Sequence, residues 1–300
     1  MIHGQPSSEN RRLLALDVSV RDDGLALAVR EPHGRIRWAT GRAAWEEVHR
    51  ALASGGPAVV GLDAPLGVPR AWARRLGIAG FRELLCRPSP HLRRAFFTPA
   101  RTLAEVRPER PFLMAGRGVR RTVWHARLGL AGPAAVSRRC DRRARAHPLF
   151  WCVGPRQVGR AALRVWTELL RPFWCPRRIP IWPFDGSLAA LLAGGRPVVA
   201  EIYPSLMRRT FARGGQVRAA RLLGEAWAAR LAAVAAGARA RTHLDDAAFG
   251  LLVLAAAVAA PRRVRLPADP AVHRLEGWIL GLPPAGHGPV GDGGTGTDGG

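Results

Sequence analysis

The chain has 300 residues, with 46 basic residues (all arginine) against 22 acidic ones, a formal net charge of +24. With 48% hydrophobic residues, this composition excludes disordered and fibrous classes. The surface it implies attracts polyanions, nucleic acid first among them.

The N-terminal MIHGQPSSENRR is polar and not a secretory leader. The longest uncharged stretch, Ala247 to Ala260, is too short to cross a bilayer. The expectation is a cytoplasmic protein with no membrane partner. Cys86, Cys140, Cys152 and Cys175 are spaced for neither a zinc site nor a dense disulfide framework, so four free, buried thiols in a reducing cytosol are expected.

In chain order, residues 1–10 and the Gly/Pro-rich stretch 283–300 read as disordered ends, flanking one domain over 11–282. Leu13 to Val20 is an apolar strand broken by Asp17. After the Arg21-Asp22-Asp23-Gly24 turn, Leu25 to Val29 and Arg35 to Ala39 continue as strands. Arg42 to Ala53 is a helix with Trp45, Val48 and Leu52 on its buried stripe. Ala58 to Leu62 is a fourth strand ending in Asp63-Ala64-Pro65. Residues 66–196 read as a long insertion rich in Pro, Arg and Trp, with a helix over Gln157 to Leu170. Pro197 to Tyr203 reads as a strand, and Val217 to Ala235 and Asp245 to Ala259 as helices. This order predicts an α/β fold with a mixed sheet, flanking helices and a long insertion between core strands.

Acids are scarce, and an unpaired charge in a buried strand is costly. Yet Asp17, Asp63 and Glu201 each stand at or near the C-terminal end of an apolar strand, and Asp245-Asp246 opens an apolar helix. Ligands in α/β sheets gather beyond those strand ends. Carboxylates crowded there repel one another, and Mg²⁺ or Mn²⁺ resolves the conflict by taking carboxylate oxygens. Such ions activate water against a phosphodiester. The competing readings are a turn residue for Asp63, helix capping for Asp245 or Asp246, and an arginine partner for Glu201.

The stretches LALDVS, VVGLDAPLGVP, SRRCDRRAR, FWCVGPRQVG, IWPFDG, EIYPSLM, HLDDAAFGLLVLAAA and EGWILG run in order from about residue 14 to 280. Together they resemble a bacterial and archaeal family of uncharacterised domains described as predicted RNase H-like nucleases. The resemblance implies an RNase H-like fold: a five-stranded mixed sheet with its acidic centre at the ends of the first and fourth strands. It makes Asp17 the aspartate bridging two Mg²⁺ or Mn²⁺ ions, Asp63 a second ligand, and Asp246, or else Asp245, a third. Glu201 becomes a nearby ligand or a base. The sequence departs from the family at Phe249, three residues beyond Asp246, where a further acid is frequent.

Within SRRCDRRAR, Arg138, Arg139, Arg142 and Arg143 are candidates for gripping phosphate, ordered by Asp141; the alternative is a solvated helix end. Arg156 and Gln157 stand at a helix start that suits an anion. Trp151, Trp166, Trp174 and Trp182 offer faces for unpaired bases or fill a core. His243 is a candidate proton donor, and Asp185 a turn residue. No G-x-x-x-x-G-K-[ST] loop, no G-x-G-x-x-G following a strand and no G-x-S-x-G motif occurs. The functional expectation is a metal-dependent nuclease hydrolysing nucleic-acid phosphodiesters. The alternatives are a catalytically inactive nucleic-acid-binding protein of the same fold, and an actin-like ATP-dependent phosphotransferase.

Overall fold

Strand β1, Arg12–Asp17, carries Leu14 and Leu16 on one face and Leu13 and Ala15 on the other, all fully buried. That two-sided burial needs a layer on each side of the sheet. In the computed structural model, which describes residues 10–114, 118–153 and 157–284 (the Arg213 side chain aside), both layers are helical. The expected disordered stretches 1–9 and 285–300 lie outside the described residues.

β2 (Ala26–Arg30) pairs antiparallel with β1, and β3 (Ile36–Thr40) antiparallel with β2. β4 (Ala58–Leu62) runs parallel to β1, and β6 (Val198–Glu201) parallel to β4. A two-residue strand, β5 (Ile181–Trp182), pairs parallel with β6. The sheet therefore has six strands in the order β3-β2-β1-β4-β6-β5, not the expected five. The additional strand lies inside the stretch read as insertion and is too short to show a period of two. β1, β4 and β6 share one direction, so Asp17, Asp63 and Glu201 stand at the same edge of the sheet.

Helix α1 (Gly41–Ala53) buries Trp45, Val48 and Leu52 in the same core cluster as Leu14, Leu16 and Leu62. The segment between β4 and β6 packs into the same layer around buried Trp72, Phe96 and Trp166. The opposite face, with Leu13, Ala15 and Val59, is covered by the long helix His243–Ala259 through Ala247, Leu251 and Leu254.

Two expected helices differ in detail. The single helix expected over Val217 to Ala235 is two, Gln216–Leu223 and Glu225–Ala235. Gly224 separates them with φ 90°, a left-handed conformation that ends a helix and suits glycine. The helix from Val158–Val165 continues into a wider π turn, Trp166–Leu170.

The cysteine expectation is corrected. Cys86 and Cys175 form a disulfide across a separation of 89 residues, while Cys140 and Cys152 are free and buried. The helix Phe81–Cys86 and the turn Arg171–Trp174 are brought together by the Phe81–Trp174 ring contact and by Arg82 over the Trp174 face. A contact so remote along the chain leaves no mark on local spacing.

Candidate active site

Asp17 is the last residue of β1, and Asp63 follows β4 with its backbone N–H donating to Leu16 O at 2.9 Å. The two carboxylates thus leave adjacent parallel strands side by side. The third acid arrives from the long helix, which approaches the sheet closely at Gly250. A Cβ there would lie 2.6 Å from Ile202 Cδ1 and 3.2 Å from Ala15 Cβ. Asp246 sits four residues earlier on the same helical stripe, so the small residue that lets the helix dock also carries Asp246 to the strand ends. Asp245 points around the helix to a different face.

The electrostatics show how crowded this corner is. Burial, then the negative charges of Asp17, Asp246 and Glu201, push the Asp63 carboxyl well above its ordinary value. Asp246 is 8% exposed, and burial followed by the charge of Asp17 raises it to about 7. Its Oδ1 is buried with no hydrogen-bond partner, while its Oδ2 lies 3.2 Å from Arg241 Nε. Arg241 also donates from Nη1 to Ser205 Oγ at 3.2 Å. Asp17 Oδ2 is 2.5 Å from His243 Nδ1, and that hydrogen bond raises the imidazole above its usual range. The His243 side chain is 61% exposed, so its ring is held by Asp17 at one nitrogen while standing at the rim of the site.

Glu201 and Asp245 lie close by but are engaged elsewhere. The fully buried Arg138 grips both oxygens of Glu201 at 2.6 Å and both oxygens of Asp141 at 2.6 and 2.9 Å. Glu201 Oε2 also accepts the Leu66 N–H at 2.7 Å. This arrangement ties β6, the loop after β4 and the 139–144 helix into one unit. Asp245 caps its helix, accepting from Thr242 N and Oγ1 at 2.8 Å each, and is paired with Arg230. Burial alone would raise the Asp245 carboxyl, but Arg230 and Thr242 hold it below its ordinary value.

Of the SRRCDRRAR arginines expected to grip phosphate, Arg138 is buried as above and taken out of that role, while Arg139, Arg142 and Arg143 face solvent with contacts of their own. Arg139 Nη2 lies 2.5 Å from Asp269 Oδ2, Arg142 donates to Ala134 O and Ser137 O, and Arg143 donates to Pro283 O and Pro284 O. Gln157 Oε1 accepts from Arg160 Nη1 at 2.7 Å, and Arg156 lies outside the described residues. The four tryptophans are core: Trp166 and Trp174 are fully buried, with Trp182 and Trp151 at 1% and 7% exposure, so none presents a face to a base. Asp185 is the turn residue expected, accepting from Ile181 N and Trp174 Nε1.

Sequence reading missed Arg241, which closes over Asp246; RTHLDD places it five residues upstream, a spacing with no helical meaning until the cap at Thr242 is known. It also left open which arginine neutralises Glu201, since 46 were available.

Among the described residues no group of three or more His, Cys, Asp or Glu side chains is arranged to hold a metal ion. The donor chemistry nonetheless fits a hard divalent ion: three carboxylates, two of them held against their own charge, and one buried oxygen without a partner. No described helix is long and apolar enough to cross a membrane. The chain matches no family model, no curated protein and no solved structure.

Proposed function

We propose that this chain is a metal-dependent phosphodiesterase of nucleic acid, built on an RNase H-like fold. The observation that carries the reading is the meeting of Asp17, Asp63 and Asp246 at the same end of the sheet, with the charges of Asp17 and Asp246 raising Asp63, that of Asp17 raising Asp246, and, among the described residues, no arginine gripping any of the three by both oxygens. The sheet order with β1, β4 and β6 parallel, and the ordered motifs that resemble the predicted RNase H-like nucleases, support the same assignment.

Asp17, Asp63 and Asp246 would hold Mg²⁺ or Mn²⁺, which supplies a Lewis acid and an activated water toward a phosphodiester. Arg241, partly exposed beside Asp246, is placed to meet a phosphate oxygen. His243, fixed by Asp17 at Nδ1, holds a proton at Nε2 for the departing oxygen. Glu201, locked by Arg138, keeps β6 and the loop after Asp63 in place. Phe249, where the resembling family often has an acid, is buried against Phe211; that position serves packing here.

The test is incubation with end-labelled DNA, RNA and hybrid in Mg²⁺, Mn²⁺ or EDTA, beside Asp17→Asn. Cation-dependent cleavage lost in the variant is the expected result. Cleavage that persists in EDTA or in the variant refutes the mechanism, and salt-sensitive binding without turnover makes the chain an inactive binder.

A further inference from the structure

Apart from Arg241 and the solvent-facing Arg139, Arg142 and Arg143, the fold holds a separate concentration of positive charge. A cavity of about 530 Å³ opens in the segment between β4 and β6, lined by His91, Arg94, Thr98, Arg107 and Arg110 together with Pro90 and Ala95. Its lining holds three guanidiniums and an imidazole, and no acid.

The frame is rigid. Arg110 donates from Nε to Thr98 O at 2.9 Å and from Nη2 to Pro99 O at 2.8 Å, and its remaining nitrogen meets Glu105 at 3.2 Å. The Arg107–Arg110 turn is closed by Arg110 N–H to Arg107 O at 2.9 Å. Trp72 anchors both walls, donating to Pro108 O at 2.7 Å and stacking on Phe96 with centroids 5.2 Å apart. Arg110 is thus structural.

Arg94 and Arg107 are not so occupied. The Arg94 guanidinium has no hydrogen-bond or ion-pair partner among the described residues. Arg107, 54% exposed, has only a loose contact with Glu109 at 3.7 Å, a pair too exposed and long to hold it. Two available guanidiniums on a fixed frame, with His91 beside them, make a receptor for an anion rich in oxygen. The volume exceeds that of a single phosphate and falls in the range of small-ligand sites, roughly 300–1,000 Å³. No Trp, Tyr or Phe lines it to stack a base.

We propose that this cavity binds the phosphate of a nucleotide-sized ligand, reading sugar-phosphate and not base identity. The two sources of that chemistry are a phosphodiester in a nucleic-acid strand and a free phosphorylated molecule. The proposal goes beyond the carboxylate site and stands whether or not that site hydrolyses anything.

The experiment titrates a fluorescent single-stranded oligonucleotide against the full chain in EDTA, with inorganic phosphate and a nucleoside monophosphate as competitors. The variants are Arg94→Ala/Arg107→Ala and, as a charge-matched control, Arg218→Ala/Arg221→Ala on the exposed helix Gln216–Leu223. The expected result is at least tenfold weaker binding for the cavity variant than for the control. Its dependence of log affinity on log salt should be shallower by about 1.4, from two phosphate contacts on a single strand. Competition by nucleoside monophosphate that is lost in the cavity variant identifies a free phosphorylated ligand, and its absence identifies a strand. Equal weakening in cavity and control variants overturns the proposal. Asp17→Asn separates the two sites: it leaves this binding intact even if the nuclease reading fails.

Discussion

Replacing Asp246 with asparagine removes a charge while keeping shape, and the structure gives its effect a sign and a pH dependence. The Asp246 carboxyl, ordinarily near 3.8, is raised to about 7 by burial and by Asp17. The folded chain therefore holds this proton more tightly than the unfolded one between those values, and stability falls as pH rises through that window. At ~1.4 kcal/mol for each tenfold difference, ionised Asp246 costs on the order of 4 kcal/mol at pH 8. The attraction of Arg241 is already contained in that raised value. Asp246→Asn should thus be more stable than wild type by about 4 kcal/mol at pH 8 in EDTA, and nearly equal to it below pH 4. At roughly 2–4 °C per kcal/mol, thermal melts across pH 4–8 resolve this as a gap that opens with rising pH. Millimolar Mg²⁺ should close the gap by stabilising the wild type alone. A variant that is less stable at pH 8, or a difference that does not vary with pH, refutes the electrostatic reasoning.

Asp245→Ala should behave differently from its neighbour: it loses the Thr242 cap and strands Arg230, lowering stability by about 1–2 kcal/mol at neutral pH, seen as an earlier denaturant midpoint. Arg138→Ala leaves Glu201 and Asp141 buried without a cation and should cost about 3–5 kcal/mol; circular-dichroism melts check it, and an unchanged Tm contradicts the anchoring role. The paired change Cys86→Ser/Cys175→Ser opens a loop of 89 residues and should lower stability by about 2–4 kcal/mol, with wild type in reductant following the variant; mass spectrometry showing free thiols in the purified, unreduced chain would rule the bond out.

The legible part of the fold was what periodicity and punctuation encode. LLALDVSV and AVVGL announced strands buried on both faces, and the turns at Asp22 to Gly24 and at Gly34 set the hairpins, so the second to fourth strands were readable to within a residue, whereas the first, expected to run to Val20, ends at Asp17 where the chain leaves the sheet. Acids at apolar strand ends pointed to Asp17 and Asp63 because a charge is out of place there. Choosing between Asp245 and Asp246 needed the docking of the helix: Gly250 against Ala15 decides which carboxylate faces the sheet. Partner choice was illegible for a related reason. Glu201 and Arg138 are 63 residues apart in sequence, and nothing local marks one arginine among 46. The two-residue strand β5 and the Cys86–Cys175 bond are likewise products of tertiary packing. The Arg138 to Arg143 run looked like a phosphate grip because charge density reads as surface, yet its first arginine is fully buried between two acids.

The central claim is that Asp17, Asp63 and Asp246 together form a binding centre for divalent cations. Calorimetric titration of Mn²⁺ into wild type and Asp63→Asn at pH 8 tests it without assuming a substrate. The account predicts saturable binding to wild type that is weakened at least tenfold in the variant. Wild type that takes up no Mn²⁺ at millimolar concentration, or a variant that binds it equally well, would contradict it.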